Sequence, residues 1–141
     1  MCFLRKKIEI EKIAPTSTQR IGLTQLFNLI KSEFPTCDVY LSDKDYRLCS
    51  YDDIALFMAQ DETNKIGYES EDFDCDDFAY RLMGQFSVQG WADLCFGIIW
   101  TETHAFNLFV TEDKEILFIE PQTDEIRDTL FSGNIARLVV I

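Results

Sequence analysis

One histidine, three prolines and six glycines in 141 residues are the first scarcities of this chain. A lone histidine cannot complete a zinc-finger ligand set, and the five cysteines, at 2, 37, 49, 75 and 95, include no CxxC pair. Their odd number and wide scatter argue against a disulfide framework and for reduced thiols, so a cytoplasmic setting is expected. No stretch approaches the roughly 18 apolar residues that a membrane span needs. The N-terminus runs from apolar Met1-Cys2-Phe3-Leu4 to basic Arg5-Lys6-Lys7, the reverse of a secretory signal. Basic residues are scarce too: 13 Lys and Arg against 25 Asp and Glu give a formal charge of −12. Such a surface repels phosphate backbones and anionic headgroups, so neither nucleic acid nor membrane is an expected partner. It tolerates basic peptides and divalent cations.

Apolar residues are plentiful at 47%, with 12 Phe, 5 Tyr and 2 Trp, enough for the core of one domain. With no repeat, low-complexity tract or evident linker, residues 1–141 read as a single domain. Residues 6–13 alternate like a strand that Pro15 stops. Residues 22–34 carry apolar side chains at helical spacing up to Pro35, and residues 39–49 read as extended. Ser50, with Asp53 three residues on, opens a short helix through Met58. Asp74 is an N-cap for another, whose apolar face is Cys75, Phe78, Ala79, Leu82, Met83 and Phe86. Residues 93–100, 104–110, 115–120 and 135–141 then read as strands. The expectation is an α+β fold, with N-terminal helices packed on an antiparallel sheet.

Three residues carry a candidate chemistry. Cys75 falls at the first position of a helix, where unsatisfied N–H groups and the dipole favour thiolate. A buried structural cysteine is the common alternative, and Cys2, Cys37, Cys49 and Cys95 fit it better. The flanking Asp74, Asp76 and Asp77 oppose thiolate by like charge unless an imidazolium or a cation offsets them. With Glu71 and Asp72 they form a run that suits calcium, although its spacing is not that of an EF-hand. The plainer reading is that acids at a helix N-terminus complement its dipole.

His104 opens a strand, and the short polar turn Thr111-Glu112-Asp113-Lys114 leads to a strand that ends at Glu120. A hairpin centred near residue 112 sets His104 opposite Glu120, within hydrogen-bonding reach, while a one-residue shift sets Pro121 there. A lone histidine is by default a structural residue, but this pairing favours a role in a site. Gln122 and Asp124 are the fallback partners.

These motifs resemble the papain-like cysteine protease superfamily. Asp74-Cys75-Asp76-Asp77-Phe78-Ala79 is similar to the nucleophile segment of bacterial transglutaminase-like thiol peptidases. Cys75-Asp76-Asp77, His104 to Asn107, and Glu120-Pro121-Gln122 resemble the C-terminal cysteine-protease domain of fungal agglutinins related to the Marasmius lectin. The likeness covers about residues 68–123. It implies a papain-like or transglutaminase-like fold and a cysteine peptidase acting on a peptide or protein substrate. Cys75 would be the nucleophile, His104 the base and then acid, and Glu120 the orienter. It also implies calcium near the nucleophile, with Asp76 and Asp77 as ligands. Residues 66–74 lack the Gln that usually supplies an oxyanion donor, leaving the Cys75 N–H with Tyr68 or Gln60. Two alternatives stand beside hydrolysis. One is acyl transfer of the transglutaminase type; the other is a non-catalytic binding or assembly domain in which Cys75 is inert.

Overall fold

The computed structural model describes residues 14–141, so the strand expected at 6–13 lies outside the described residues. The order is β1 (Arg20–Gly22), α1 (Leu23–Glu33), β2 (Asp38–Tyr40), β3 (Asp45–Arg47) and α2 (Tyr51–Gln60). A 3-10 turn (Thr63–Lys65) and α3 (Cys75–Phe86) follow. The chain closes with β4 (Phe96–Thr101), β5 (Ala105–Val110), β6 (Ile116–Glu120), β7 (Glu125–Arg127) and β8 (Ala136–Val140). Among the described residues no helix is long and apolar enough to cross a membrane.

The helices form where their spacing and caps require. α1 stops at Glu33 because Pro35 cannot continue it, and the Phe34 N–H donates to Ile30 O at 2.8 Å. α2 starts at the expected cap, where Ser50 Oγ accepts the Asp53 N–H. α3 starts after Asp74, whose own N–H donates to Asp77 Oδ2 at 3.2 Å, the backward half of a capping box.

Six strands form one sheet in the order β2-β8-β4-β5-β6-β7, and β1 pairs with β3 in a separate ribbon. The expected order of helices first and antiparallel sheet second is corrected here. Three short strands are interleaved with the early helices, and β2 joins the large sheet parallel to β8. Three-residue strands such as Asp38-Val39-Tyr40 are too short to carry a readable period, so sequence merged β2 and β3 into one extended segment.

Both faces of the sheet are covered. One cluster joins Leu26 and Ile30 of α1 to Ile99, Phe106, Leu108, Phe118 and Val139. The other joins Ile54, Phe57 and Met58 of α2 and Leu82 and Phe86 of α3 to Phe96, Phe109 and Ile119. Alternate β5 side chains therefore enter different cores, which explains why its apolar run is continuous rather than alternating. Fully burying one such side chain contributes about 1.5–3 kcal/mol.

Gly97 lies where β4 and β8 approach closely, and a Cβ there would collide with the Val140 carbonyl. Gly84 on α3 has open space around it. Gly97→Ala is expected to cost about 1–3 kcal/mol in chemical denaturation. Gly84→Ala is expected to be neutral or to stabilise by up to about 1 kcal/mol. An unchanged unfolding midpoint in Gly97→Ala would contradict the close strand approach.

Candidate functional site

The site is built at one end of the α3–β5 pair. Asn107, fully buried, donates through Nδ2 to Ala79 O of α3 at 3.0 Å and to Gly97 O of β4 at 3.1 Å. At the far end of the helix Phe86 stacks on Phe96, which pairs with Phe109 of β5. The helix thus runs alongside β5 in the same direction, which carries Cys75 toward the end of the strand where His104 stands. Tyr80 of α3 confirms the direction, its ring 5.9 Å from that of Trp100, the partner of Ala105.

His104 sits just before β5 in a tight turn. Its N–H donates to Thr101 Oγ1 at 3.1 Å, and the Thr101 N–H donates to His104 O at 2.9 Å. Its Nε2 lies 2.6 Å from Glu120 Oε2, and the two side chains are only 16% and 13% exposed. The carboxylate only accepts, so Nε2 carries the proton and donates. The Gln122 N–H donates to Glu120 Oε1 at 3.3 Å, which fixes the carboxylate from its other side. The expected pair exists, by a different route. β5 pairs with β6 so that Asn107 faces Ile119 and Leu108 faces Phe118. Continuing that register sets Phe106 across from Glu120 and Gln122 across from His104. The bond is therefore diagonal, within the reach of two long side chains. The hairpin centre moved because Lys114 adopts φ 63° after a turn closed by its N–H to Thr111 O, adding a bulge residue.

Cys75 is half-buried at the start of α3, and no hydrogen bond joins its thiol to His104 among the described residues. Its near neighbours are acids: one ligand atom each from Asp74, Cys75 and Asp76 lies within 4.8 Å of the others. A hydrogen bond between the Asp74 and Asp76 carboxyls, and then burial, raise the Asp76 pKa. Asp77 is engaged in the helix cap rather than turned to that group. The structure thus brings His104 to Glu120 and Cys75 to Asp76, at one end of the molecule, and leaves the thiol–imidazole link unmade. Tyr68 is exposed, and Gln60 carries a buried Oε1 with no partner. Asp124 bonds through its N–H to Glu120 O at 2.9 Å, and its carboxyl is pushed up to about 6 by burial and by Asp61. Tyr80 escaped the sequence reading, and Asn107 entered it only as the end of the His104 to Asn107 segment. A single polar residue inside the apolar run 105–110 was the available signal for Asn107. A cleft of about 140 Å³ lies at the other end of α3, between Phe86, Trp91, Leu94 and Tyr46.

No family model matches the chain, and no curated protein matches it either. Solved structures do. PSL1a in complex with E64 is 22% identical over 89% of this chain and 52% of that one, with a TM-score of 0.74. The Polyporus squamosus lectin, bound to the human-type influenza-binding epitope Neu5Aca2-6Galb1-4GlcNAc, is 22% identical over 89% of this chain and 50% of that one, with a TM-score of 0.71. The chain shares its fold with part of a lectin. It spans about half the length of these solved chains.

That finding corrects the expectations drawn from the papain-like resemblance. One fold partner is the Polyporus squamosus lectin and neither is named as a papain-like or transglutaminase-like enzyme, which overturns both the superfamily assignment and the fold class built on it. It equally overturns the cysteine hydrolase or peptidase activity on amide bonds, and the peptide or protein substrate. The physical source of the difference is that three short motifs were joined into a triad by their order, and order along the chain does not make a thiol–imidazole bond.

Thiol accessibility checks the placement of Cys75. Burial raises the pKa of Cys37 and Cys49 and pushes Cys95 up to about 12, so all three stay protonated and shielded near neutral pH. Among these four, iodoacetamide at pH 7.5 is expected to modify Cys75 at least tenfold faster, as read by peptide mass spectrometry. Equal modification of Cys95 would contradict the described burial.

Proposed function

We propose that this chain is a non-catalytic binding domain, with carbohydrate as its ligand class and the Cys75, His104 and Glu120 end of the molecule as the ligand seat. The observation that carries the reading is the pairing, at that end, of an aromatic platform with a shielded imidazole–carboxylate pair. Tyr80 is half-exposed and tilts against Trp100. Aromatic faces pack against the C–H faces of a sugar ring, while an N–H donor and carboxylate acceptors serve its hydroxyls. Two further points favour it. One of the solved structures that share the fold holds a sialylated glycan. Cys75 is bonded to neither His104 nor Glu120 among the described residues, so the site offers a binding surface without an assembled nucleophile.

Charge selects within the ligand class. At −12 the surface disfavours a sialylated, anionic glycan and favours a neutral one. Titration calorimetry with Galb1-4GlcNAc, its sialylated form and E64 tests this directly. The neutral disaccharide is expected to bind saturably and more tightly than its sialylated form at low salt. Trp100→Ala should weaken it at least tenfold, and Glu120→Gln several-fold. Absence of glycan binding, with or without capture of E64 at Cys75, would overturn the carbohydrate reading. Turnover of an amide substrate that vanishes in Cys75→Ala would overturn the non-catalytic one.

A further inference from the structure

The cleft at the far end of α3 shares no residue with the seat just described. Its volume is about 140 Å³, and a cavity of about 150 Å³ holds one benzene molecule. A single aromatic ring therefore fits, and a disaccharide does not. The inner walls are Phe86, Trp91, Leu94 and Phe96, all buried. Phe86 is stacked between Phe57 and Phe96, with 3.9 Å between ring centroids on each side. With both faces covered, it can turn only its edge to the cleft. A ring edge is electropositive and attracts the π face of another aromatic more than it attracts an aliphatic ring. Met83, half-buried on the same wall, is unbranched and adapts its shape to an occupant.

The mouth is polar and held in place. Ser42 and Asp43 stand on it, both exposed. The Asp43 N–H donates to the Tyr46 hydroxyl at 2.8 Å, and that hydroxyl donates to Ile141 O at 3.1 Å. The Ser42 N–H donates to the same carbonyl at 2.9 Å. On the facing loop, the Arg47 N–H donates to Asp93 O at 2.8 Å and the Cys95 N–H to Arg47 O at 2.7 Å. The cleft is thus formed before anything enters it, as small-molecule sites usually are. Among the described residues no basic side chain forms an ion pair with the Asp43 carboxylate.

We propose that this cleft binds a small arylalkylamine, its ring among Phe86, Trp91 and Leu94 and its ammonium group at the Asp43 carboxylate. Volume sets the size of the occupant, the Phe86 edge selects an aromatic ring, and the unpaired carboxylate selects a cation. The net charge of −12 acts in the same direction, drawing cations toward the mouth and repelling anions. A neutral ring would leave the carboxylate unused. The inference goes beyond the carbohydrate reading and stands on the opposite end of the molecule.

Benzylamine is the probe, set against benzyl alcohol, which lacks the charge, and cyclohexylamine, which lacks the π face. Each is titrated into the full chain at neutral pH and low salt, with amide chemical shifts as the readout. Benzylamine is expected to saturate, with perturbations confined to residues 41–46 and 83–96. It should bind at least about threefold more tightly than either control. Asp43→Asn should weaken benzylamine at least about threefold and leave benzyl alcohol unchanged, which separates lost charge from a damaged cleft. Added salt should narrow the gap between amine and alcohol, because an exposed ion pair is screened. No saturable benzylamine binding, perturbations centred elsewhere, equal affinity for cyclohexylamine, or undiminished binding by Asp43→Asn would each overturn the proposal. Glycan titrations report on the other end of the molecule, so failure here and failure of the carbohydrate reading are separable.

Discussion

The carboxamide of Asn107 is the joint on which the arrangement depends. It is the one polar side chain in β5, it is fully buried, and its amide nitrogen spans the α3 backbone at Ala79 and the β4 backbone at Gly97. Two hydrophobic cores could hold the helix against the sheet in several sliding positions, since apolar contact is non-directional. Two directed hydrogen bonds in a low-dielectric interior select one of them. That choice decides where Cys75 stands relative to His104, although neither residue touches Asn107 in sequence or in function.

Around that joint the fold separates two tasks. The sheet is buried on both faces, so its central strands are spent on packing and can offer no ligand surface. Chemistry is left to the strand ends: the Thr101–His104 turn, the end of β6 at Glu120, and the first turn of α3. Ends of elements also supply unpaired backbone groups, and acidic residues cluster where the α3 dipole welcomes them. The acids therefore serve the helix first, as the Asp77 cap shows.

What could be read from sequence follows the range of the interactions involved. α1, α2 and α3 were legible because caps and 3.6-residue spacing are local, down to Ser50 and Asp74. The meeting of His104 with Glu120 was legible because a hairpin is nearly local, yet its register was off by two through the bulge at Lys114. β2 was invisible as a sheet strand because its partner β8 lies at the other end of the chain. The bridge from Asn107 to Ala79 is a long-range contact that no spacing rule encodes. The same limit explains the overreach at Cys75. Its place on a helix was correct, but its partner could only be known in three dimensions.

The most direct check is where a ligand lands on the folded chain. Amide chemical-shift mapping of the wild type during titration with Galb1-4GlcNAc reads every described strand end at once. The account predicts perturbations confined to the first turn of α3, residues 100–105 and the end of β6 through the β6–β7 turn. Perturbations centred instead on the far end of α3, around Phe86, Trp91 and Tyr46, would place the ligand in the opposite cleft and contradict it.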